Sequence, residues 1–318
     1  MPPETVLVAG ASGLVGGAAV RALAAQGHTV RALIRRPEEA RRLSGDHVIP
    51  VVADLSGPGN WDSAFEGVTA VVDAIQVRVP GRLTVASARR ASLDRKRIVS
   101  TLLDHVRRQT SPLCAYVALS GLEDYAPTGD AWFDESTALG REARGYSLLS
   151  VHARALLADA QRDWGLPLVV LRMGLIYGSS GWFPGFVDRI RGRRGTLVGP
   201  GANYASLVAA PDVGSAIRCA VERAPKGKEF LVVDDEPLRQ VEWQSILADS
   251  LGCPRVRRKV PVWLAGLAVG RVNADTFASS RRARNQKAKD ELGWIPKFPS
   301  VRQGFPELLR TMVPASAT

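Results

Sequence analysis

The sequence is poor in the residues that build metal centres and disulfide frameworks. Three cysteines (Cys114, Cys219 and Cys253) and four histidines are scattered without ligand spacing, which excludes a zinc module and predicts free thiols in a reducing compartment. No apolar run has the length of a membrane span, and no basic-plus-apolar leader precedes the first strand. The expected location is therefore the cytoplasm, with no membrane partner. The chain is basic, with 42 Lys+Arg against 31 Asp+Glu, yet it lacks a long basic tail and any zinc-finger or RNA-binding signature. Its arginines lie in short pairs such as Arg35-Arg36, Arg89-Arg90 and Arg281-Arg282. Nucleic acid is not an expected partner; an anionic cofactor or substrate and a solvated surface account for the excess. Two further absences are local. No Asp or Glu occurs between Gly10 and Pro37, and no lysine between Lys96 and Lys226.

What is present begins with Val6-Leu7-Val8-Ala9, a short apolar run that reads as a buried strand. Gly10, Gly13 and Gly16 follow at three-residue spacing, and a helix-favouring stretch, Ala18–Ala25, comes after them. Strand, glycine turn and helix make a dinucleotide-binding layout. Glycine lets the backbone approach a pyrophosphate, and a helix N-terminus offers free N–H groups to it. Ser12, Leu14 and Val15 belong to the same turn.

A second strand, Thr29–Ile34, ends where such sites meet the adenosine ribose. Ile34 lies 24 residues after Gly10, where a carboxylate selecting NAD would stand, and Arg35-Arg36 follows directly. Arginine there suits the 2′-phosphate of NADP. Further strands are expected at Val48–Ala53, Val68–Ala74, Cys114–Ser120, Leu168–Arg172 and Phe230–Asp234. Helices are expected at Pro37–Leu43, Ile98–Val106, Val241–Leu251 and Val260–Val269. The alternation predicts an α/β fold, a doubly wound parallel sheet of Rossmann type with a smaller C-terminal substrate lobe. Residues 76–97, carrying Pro80, Gly81 and many arginines, read as an inserted loop or lid, as does 122–147. The expected division is 1–177 for the NADP-binding domain and 178–318 for the substrate lobe, interleaved with late sheet elements. Residues 178–201 read as a flexible connection, and 313–318 as a frayed tail.

The chain resembles the extended or atypical short-chain dehydrogenase/reductases, the NAD(P)-dependent epimerase/dehydratase-like group. The resemblance rests on Gly10-Ala-Ser-Gly13-Leu-Val-Gly16, Asp54-Leu55, Tyr116-Val-Ala-Leu-Ser120 and Asp134-Glu-Ser-Thr137. It continues through Leu171-Arg-Met-Gly-Leu-Ile-Tyr-Gly178, Asp212-Val213, Val233–Pro237 and Asn285–Pro296. It implies that Asp54 and Leu55 lie by the adenine, that Ala74, Ile75 and Leu119 line the cofactor, and that Met173, Gly174 and Ile176 lie by the nicotinamide.

Members of this group carry a Ser or Thr after the fifth strand and a Tyr followed four residues later by Lys. The tyrosine exchanges the substrate's proton, and the lysine lowers its pKa. Ser120 matches the first position. Tyr146 aligns with the tyrosine, but Ser150 stands where lysine belongs. Arg154 lies one turn further on, and His152 between them is a second candidate proton donor. Tyr125-Ala126-Pro127 matches a subgroup that also lacks the pair and includes angucyclinone-type ketoreductases of aromatic polyketide pathways. The resemblance therefore implies an NADPH-dependent ketoreductase, of use in antibiotic biosynthesis, with Ser120, Tyr146 and His152 as catalytic candidates. Tyr125, Trp182, Phe183 and Tyr204 are the expected walls for a bulky small-molecule substrate. A sugar-nucleotide epimerase/dehydratase and a non-catalytic NADP(H)-binding sensor are the alternatives. No metal is expected, and the protein is expected to be a monomer or a homodimer.

Overall fold

A computed structural model of the protein describes residues 3–312, apart from 44, 58, 60 and 110. Seven strands form one sheet: β1 (Thr5–Ala9), β2 (Thr29–Ile34), β3 (Val48–Val52), β4 (Ala70–Asp73), β5 (Ala115–Gly121), β6 (Leu168–Met173) and β7 (Lys228–Val232). Their order is β7-β6-β5-β4-β1-β2-β3, and every pairing is parallel. The central strands are continuous apolar runs, as burial on both faces demands; Val6 to Ala9 and Ala70 to Val72 are fully buried. The order reverses between β1 and β4, so the crevice at their C-terminal ends is where a ligand of this architecture sits.

Helices cover both faces. α1 (Leu14–Ala24) returns from the glycine turn, and α2 (Val85–Arg108) and α3 (Ser147–Trp164) cover the other side. α4 (Trp182–Arg191), α5 (Ala210–Arg223) and α6 (Gln240–Ser250) follow, then α7 (Val262–Val269), α8 (Arg271–Ala278), α9 (Gln286–Leu292) and α10 (Val301–Met312). α5 packs on α1 against one sheet face. A separate apolar cluster holds Tyr177, Phe183, Trp243, Phe298 and Phe305 together. It forms the core of the C-terminal lobe, and residues 178–201 contribute α4 to it rather than a loose connection. Asp212 at the start of α5 ties the lobe to the sheet: its carboxylate accepts from Lys297 N at 2.7 Å and Phe298 N at 3.0 Å.

The reading of 76–97 as a lid is corrected. Residues 85–108 form one helix of 24 residues. Thr84 caps it, accepting from Ser87 N at 3.2 Å, while Ser87 Oγ accepts from Thr84 N at 3.0 Å. Ala88, Ala91, Ser92, Arg95, Ile98, Val99 and Leu102 form its buried face, and Arg89, Arg90, Lys96 and Arg97 its exposed one. The buried stripe is small and polar at its start, so the arginines outside dominate the composition. Arg95 is itself internal, paired with the fully buried Asp73 at 2.5 Å. The expected tail lies outside the described residues.

Candidate active site

The cofactor end is made by backbone. Gly10 adopts a φ of +82° and turns the chain out of β1. A Cβ on Gly16 would lie 2.1 Å from the Gly10 carbonyl oxygen, so only glycine lets α1 start this close to the strand. The first turn of α1 has no side-chain cap and no acidic residue, which leaves N–H groups and the helix's positive end for an anion. Ala74 donates its N–H to the Ala9 carbonyl at 3.0 Å, which brings Ala74 and Ile75 beside the turn. Leu14 and Val15 open the helix. These features fit the pyrophosphate of a dinucleotide.

At the ribose end Ile34 is buried and both arginines after it are exposed. Their surroundings differ. Arg36 is held by Glu39 at 2.7 Å and Glu38 at 3.7 Å. Arg35 makes no hydrogen bond or ion pair with another described residue. Glu39 is the residue sequence reasoning missed. Pro37 starts a short 3-10 helix over Pro37–Arg42 that swings Glu39 back toward Ser12. Burial pushes its carboxyl up, but hydrogen bonds from Arg36 and Ser12 and the Arg36 charge bring it below the usual range. Asp54 accepts from Ser56 N at 3.0 Å and from Ser56 Oγ at 2.6 Å, and Leu55 is buried beneath it.

The substrate end is made by side chains from distant segments. A cleft opens at the C-terminal ends of β5 and β6, between Leu122-Glu123, Met173–Leu175, Asn203–Ser206 and the Thr276–Arg281 stretch, with Gln240 and Trp243 at its inner wall. Gly174 is required here, because a Cβ would lie 2.3 Å from the Ser206 carbonyl oxygen. That contact keeps the cleft wall against the end of β6. Leu119 lies in β5 just before the cleft, and the Ile176 carbonyl accepts from Trp182 Nε1 at 2.6 Å.

The expected catalytic residues each hydrogen-bond a different partner. The Tyr146 hydroxyl donates to Asn273 Oδ1 at 2.9 Å, on α8. Burial, and then the nearby Glu123 charge, raise that hydroxyl to about 12. Ser150 Oγ donates to the Ser147 carbonyl at 3.3 Å, within its own helix. His152 Nδ1 is hydrogen-bonded to Ser92 Oγ at 2.9 Å, between α3 and α2. Ser120 donates to Asp124, which also binds Arg172 and pairs with Arg154 at 2.6 Å. Arg172 continues to Glu229 at 2.7 Å, and Glu229 accepts from the Tyr125 hydroxyl at 3.0 Å. Arg154 is thus neutralised by a buried carboxylate and does not stand in for the missing lysine.

Of the expected substrate walls only Tyr204 lines the cleft, with the Arg239 and Arg282 guanidinium carbons 4.6 and 4.5 Å from its ring centre. Tyr125 and Phe183 are corrected to core positions, each at most 1% exposed. Tyr125 packs with Leu122, Phe133 and Leu231, and Phe183 with Tyr177 and Phe305. Trp182 stacks edge-on to Trp243 and Phe277 behind the cleft. Phe277 in α8 is the further aromatic at the cleft that sequence reasoning passed over, while Trp243 borders it from within the lobe core at 1% exposure.

A sequence profile of the NAD dependent epimerase/dehydratase family matches residues 6–233. The chain belongs to that family. Among relatives of this member, a 3-diazoavenalumate denitrifying reductase from a Streptomyces species is 31% identical over 94% of this chain and 98% of its own length. A 4-hydroxy-2-methyl-3-oxo-4-farnesyl-3,4-dihydroquinoline-1-oxide ketoreductase from Stigmatella aurantiaca is 26% identical, covering 82% of this chain and 77% of its own. A solved structure of the human epimerase family protein SDR39U1 with NADPH has a TM-score of 0.79 at 19% identity, covering 96% and 99% of the two chains. A UDP-glucuronic acid 4-epimerase from Bacillus cereus, with NAD, shows the same fold at a TM-score of 0.75 and 13% identity over 97% of this chain and 100% of its own. The family and the names of these relatives support an NAD(P)-dependent oxidoreductase or epimerase role. Among the described residues no helix is long and apolar enough to cross a membrane, and no cluster of His, Cys, Asp and Glu is placed to hold a metal.

Proposed function

We propose that this protein is an NADPH-dependent reductase that converts a ketone or quinone carbonyl on a bulky aromatic small molecule to the alcohol, without a Tyr–Lys pair. The observation that carries this reading is the cleft at the end of β6, which Met173 and Gly174 border and which Tyr204 and Phe277 wall. A flat substrate stacks on such faces, while Asn203 and Ser206 offer the few polar groups that orient it. A bound reduced nicotinamide supplies the hydride. The chain's own residues bind the dinucleotide at the glycine turn, select its 2′-phosphate with the unpaired Arg35, and hold the acceptor carbonyl over Met173 and Gly174. The names of the two curated relatives, a reductase and a ketoreductase, support the direction of the reaction.

The absence of lysine from 97 to 225 and the engagement of Tyr146 with Asn273 disfavour a sugar-nucleotide epimerase or dehydratase, whose chemistry needs a strong acid/base pair. The test is NADPH oxidation with a panel of quinones and aryl ketones, run beside NADH and beside UDP- and dTDP-sugars. The expected result is turnover of an aromatic carbonyl with NADPH at least about tenfold preferred over NADH. Epimerised or dehydrated sugar nucleotide in place of carbonyl reduction overturns the proposal, and NADPH binding with no turnover of any kind identifies a sensor.

A further inference from the structure

Carbonyl reduction needs a proton on oxygen as well as a hydride on carbon, and none of the expected donors lines the cleft. The Ser120 hydroxyl donates to Asp124 and that of Tyr146 to Asn273, while Nδ1 of His152 is hydrogen-bonded to Ser92. Among the residues lining the cleft the only carboxyl group is that of Glu123, and the only other ionisable side chains are Tyr204 and Arg281. Glu123 lies two residues past the end of β5, and its Oε2 lies 2.6 Å from where a Cβ on Gly121 would be. The carboxyl thus fills the space over Gly121, at a strand end paired with Met173, on the same rim as Gly174. Arg281 faces the same cleft with its buried Nε lacking a partner.

Resting on the reductase reading above, we infer that Glu123 is the general acid of this enzyme, delivering its carboxyl proton to the carbonyl oxygen, with Arg281 as the positioning cation for the carboxylate left behind. In the balanced step the reduced nicotinamide gives two electrons as hydride to the carbonyl carbon, and the C=O π bond breaks. The Glu123 O–H bond breaks as the substrate O–H bond forms, and solvent then reprotonates Glu123. The groups around it suit the task. Burial raises the Glu123 carboxyl, its own backbone N–H and Arg281 counter this, and Asp124 adds to the rise. Tyr146, itself raised, stays neutral beside it. Burial thus favours the protonated carboxyl over the carboxylate, and the guanidinium attracts the carboxylate once the proton has gone.

The test uses the full chain with NADPH and phenanthrenequinone as the carbonyl probe. Glu123→Gln keeps shape and removes the proton; kcat should fall about a hundredfold or more while NADPH affinity, read by fluorescence titration, stays within about threefold. The wild type should lose kcat/KM as pH rises through the raised Glu123 ionisation, and this alkaline limb should vanish in Glu123→Gln. Infrared spectra of the NADPH complex without substrate give a readout apart from turnover. A protonated-carboxyl band at neutral pH should shift in Glu123→Asp and be lost in Glu123→Gln. Wild-type reduction that survives in Glu123→Gln with the same pH profile overturns this inference and leaves the reductase reading standing. Failure of the wild type to reduce any carbonyl overturns both. If Glu123→Gln does not fold, a wild-type spectrum with no such band is the overturning result.

Discussion

The two ends of the crevice are built on different principles. At the pyrophosphate end the backbone does the shaping: Gly10 turns, Gly16 lets helix and strand touch, and the bare N-terminus of α1 faces outward. At the substrate end backbone only closes one wall, at Gly174. The groups facing the cleft come from Glu123, Tyr204, Phe277 and Arg281, which span 159 residues of chain from first to last. A backbone site tolerates almost no change at its glycines but is indifferent to what surrounds it. A side-chain site changes by substitution of single residues while the scaffold remains, which is how one fold hosts many substrates.

That contrast can be broken most sharply at Gly16. Gly16→Val should abolish NADPH binding in a fluorescence titration, because the new side chain collides with the Gly10 carbonyl at a distance no real contact shows. Tight binding in this variant would mean that the pyrophosphate lies elsewhere. The scaffold beneath the substrate end is the next target. Arg172 and Asp124 form a buried pair, with side chains 5% and 0% exposed. Arg172→Met should lower stability in urea by about 3–5 kcal/mol, since Asp124 and Glu229 lose a shared partner. A loss under about 1 kcal/mol would show that Arg154 alone satisfies Asp124.

A smaller effect belongs to the ribose end. Arg35→Ala should weaken NADPH by about tenfold or more, corresponding to roughly 1.5–3 kcal/mol, and leave NADH nearly unchanged. Arg36→Ala should do less, because Arg36 is already paired with Glu39. If instead NADH binds as tightly as NADPH, and Glu39→Gln weakens NADH alone, then Glu39 is the ribose-binding acid and the NADP assignment reverses. The smallest effect should be at Tyr146. Tyr146→Phe keeps the ring and loses only the hydrogen bond to Asn273, so kcat should stay within about tenfold. A thousandfold loss with binding intact would restore the tyrosine as the acid.

Legibility in the sequence followed the same divide. The strands of the sheet stood out as short apolar runs, and the observed β1 to β7 fall within a residue or two of them. The start of α2 was hidden, because its buried face begins with Ala88, Ala91 and Ser92 and its outer face is arginine-rich. Periodicity of small residues gives little hydrophobic contrast. The assignment of Tyr125 and Phe183 to a substrate wall failed for another reason. An aromatic side chain buries a large apolar area wherever it can, and its spacing does not say whether core or ligand covers it.

The sequence by itself determined the parallel sheet and the glycine turn, because these follow from the alternation of apolar runs along the chain and from what glycine alone permits. It also determined that no lysine stands a turn after Tyr146. Only the tertiary structure decided which ionisable groups share the substrate cleft. Ser120, Tyr146 and His152 are each drawn off by a partner on another element, Asp124, Asn273 and Ser92. Glu123 meets Tyr204 and Arg281 only because the strand ends and the C-terminal lobe close on one another. Hydrogen bonding and burial are set by neighbours in space, and those neighbours exist only once the chain has folded.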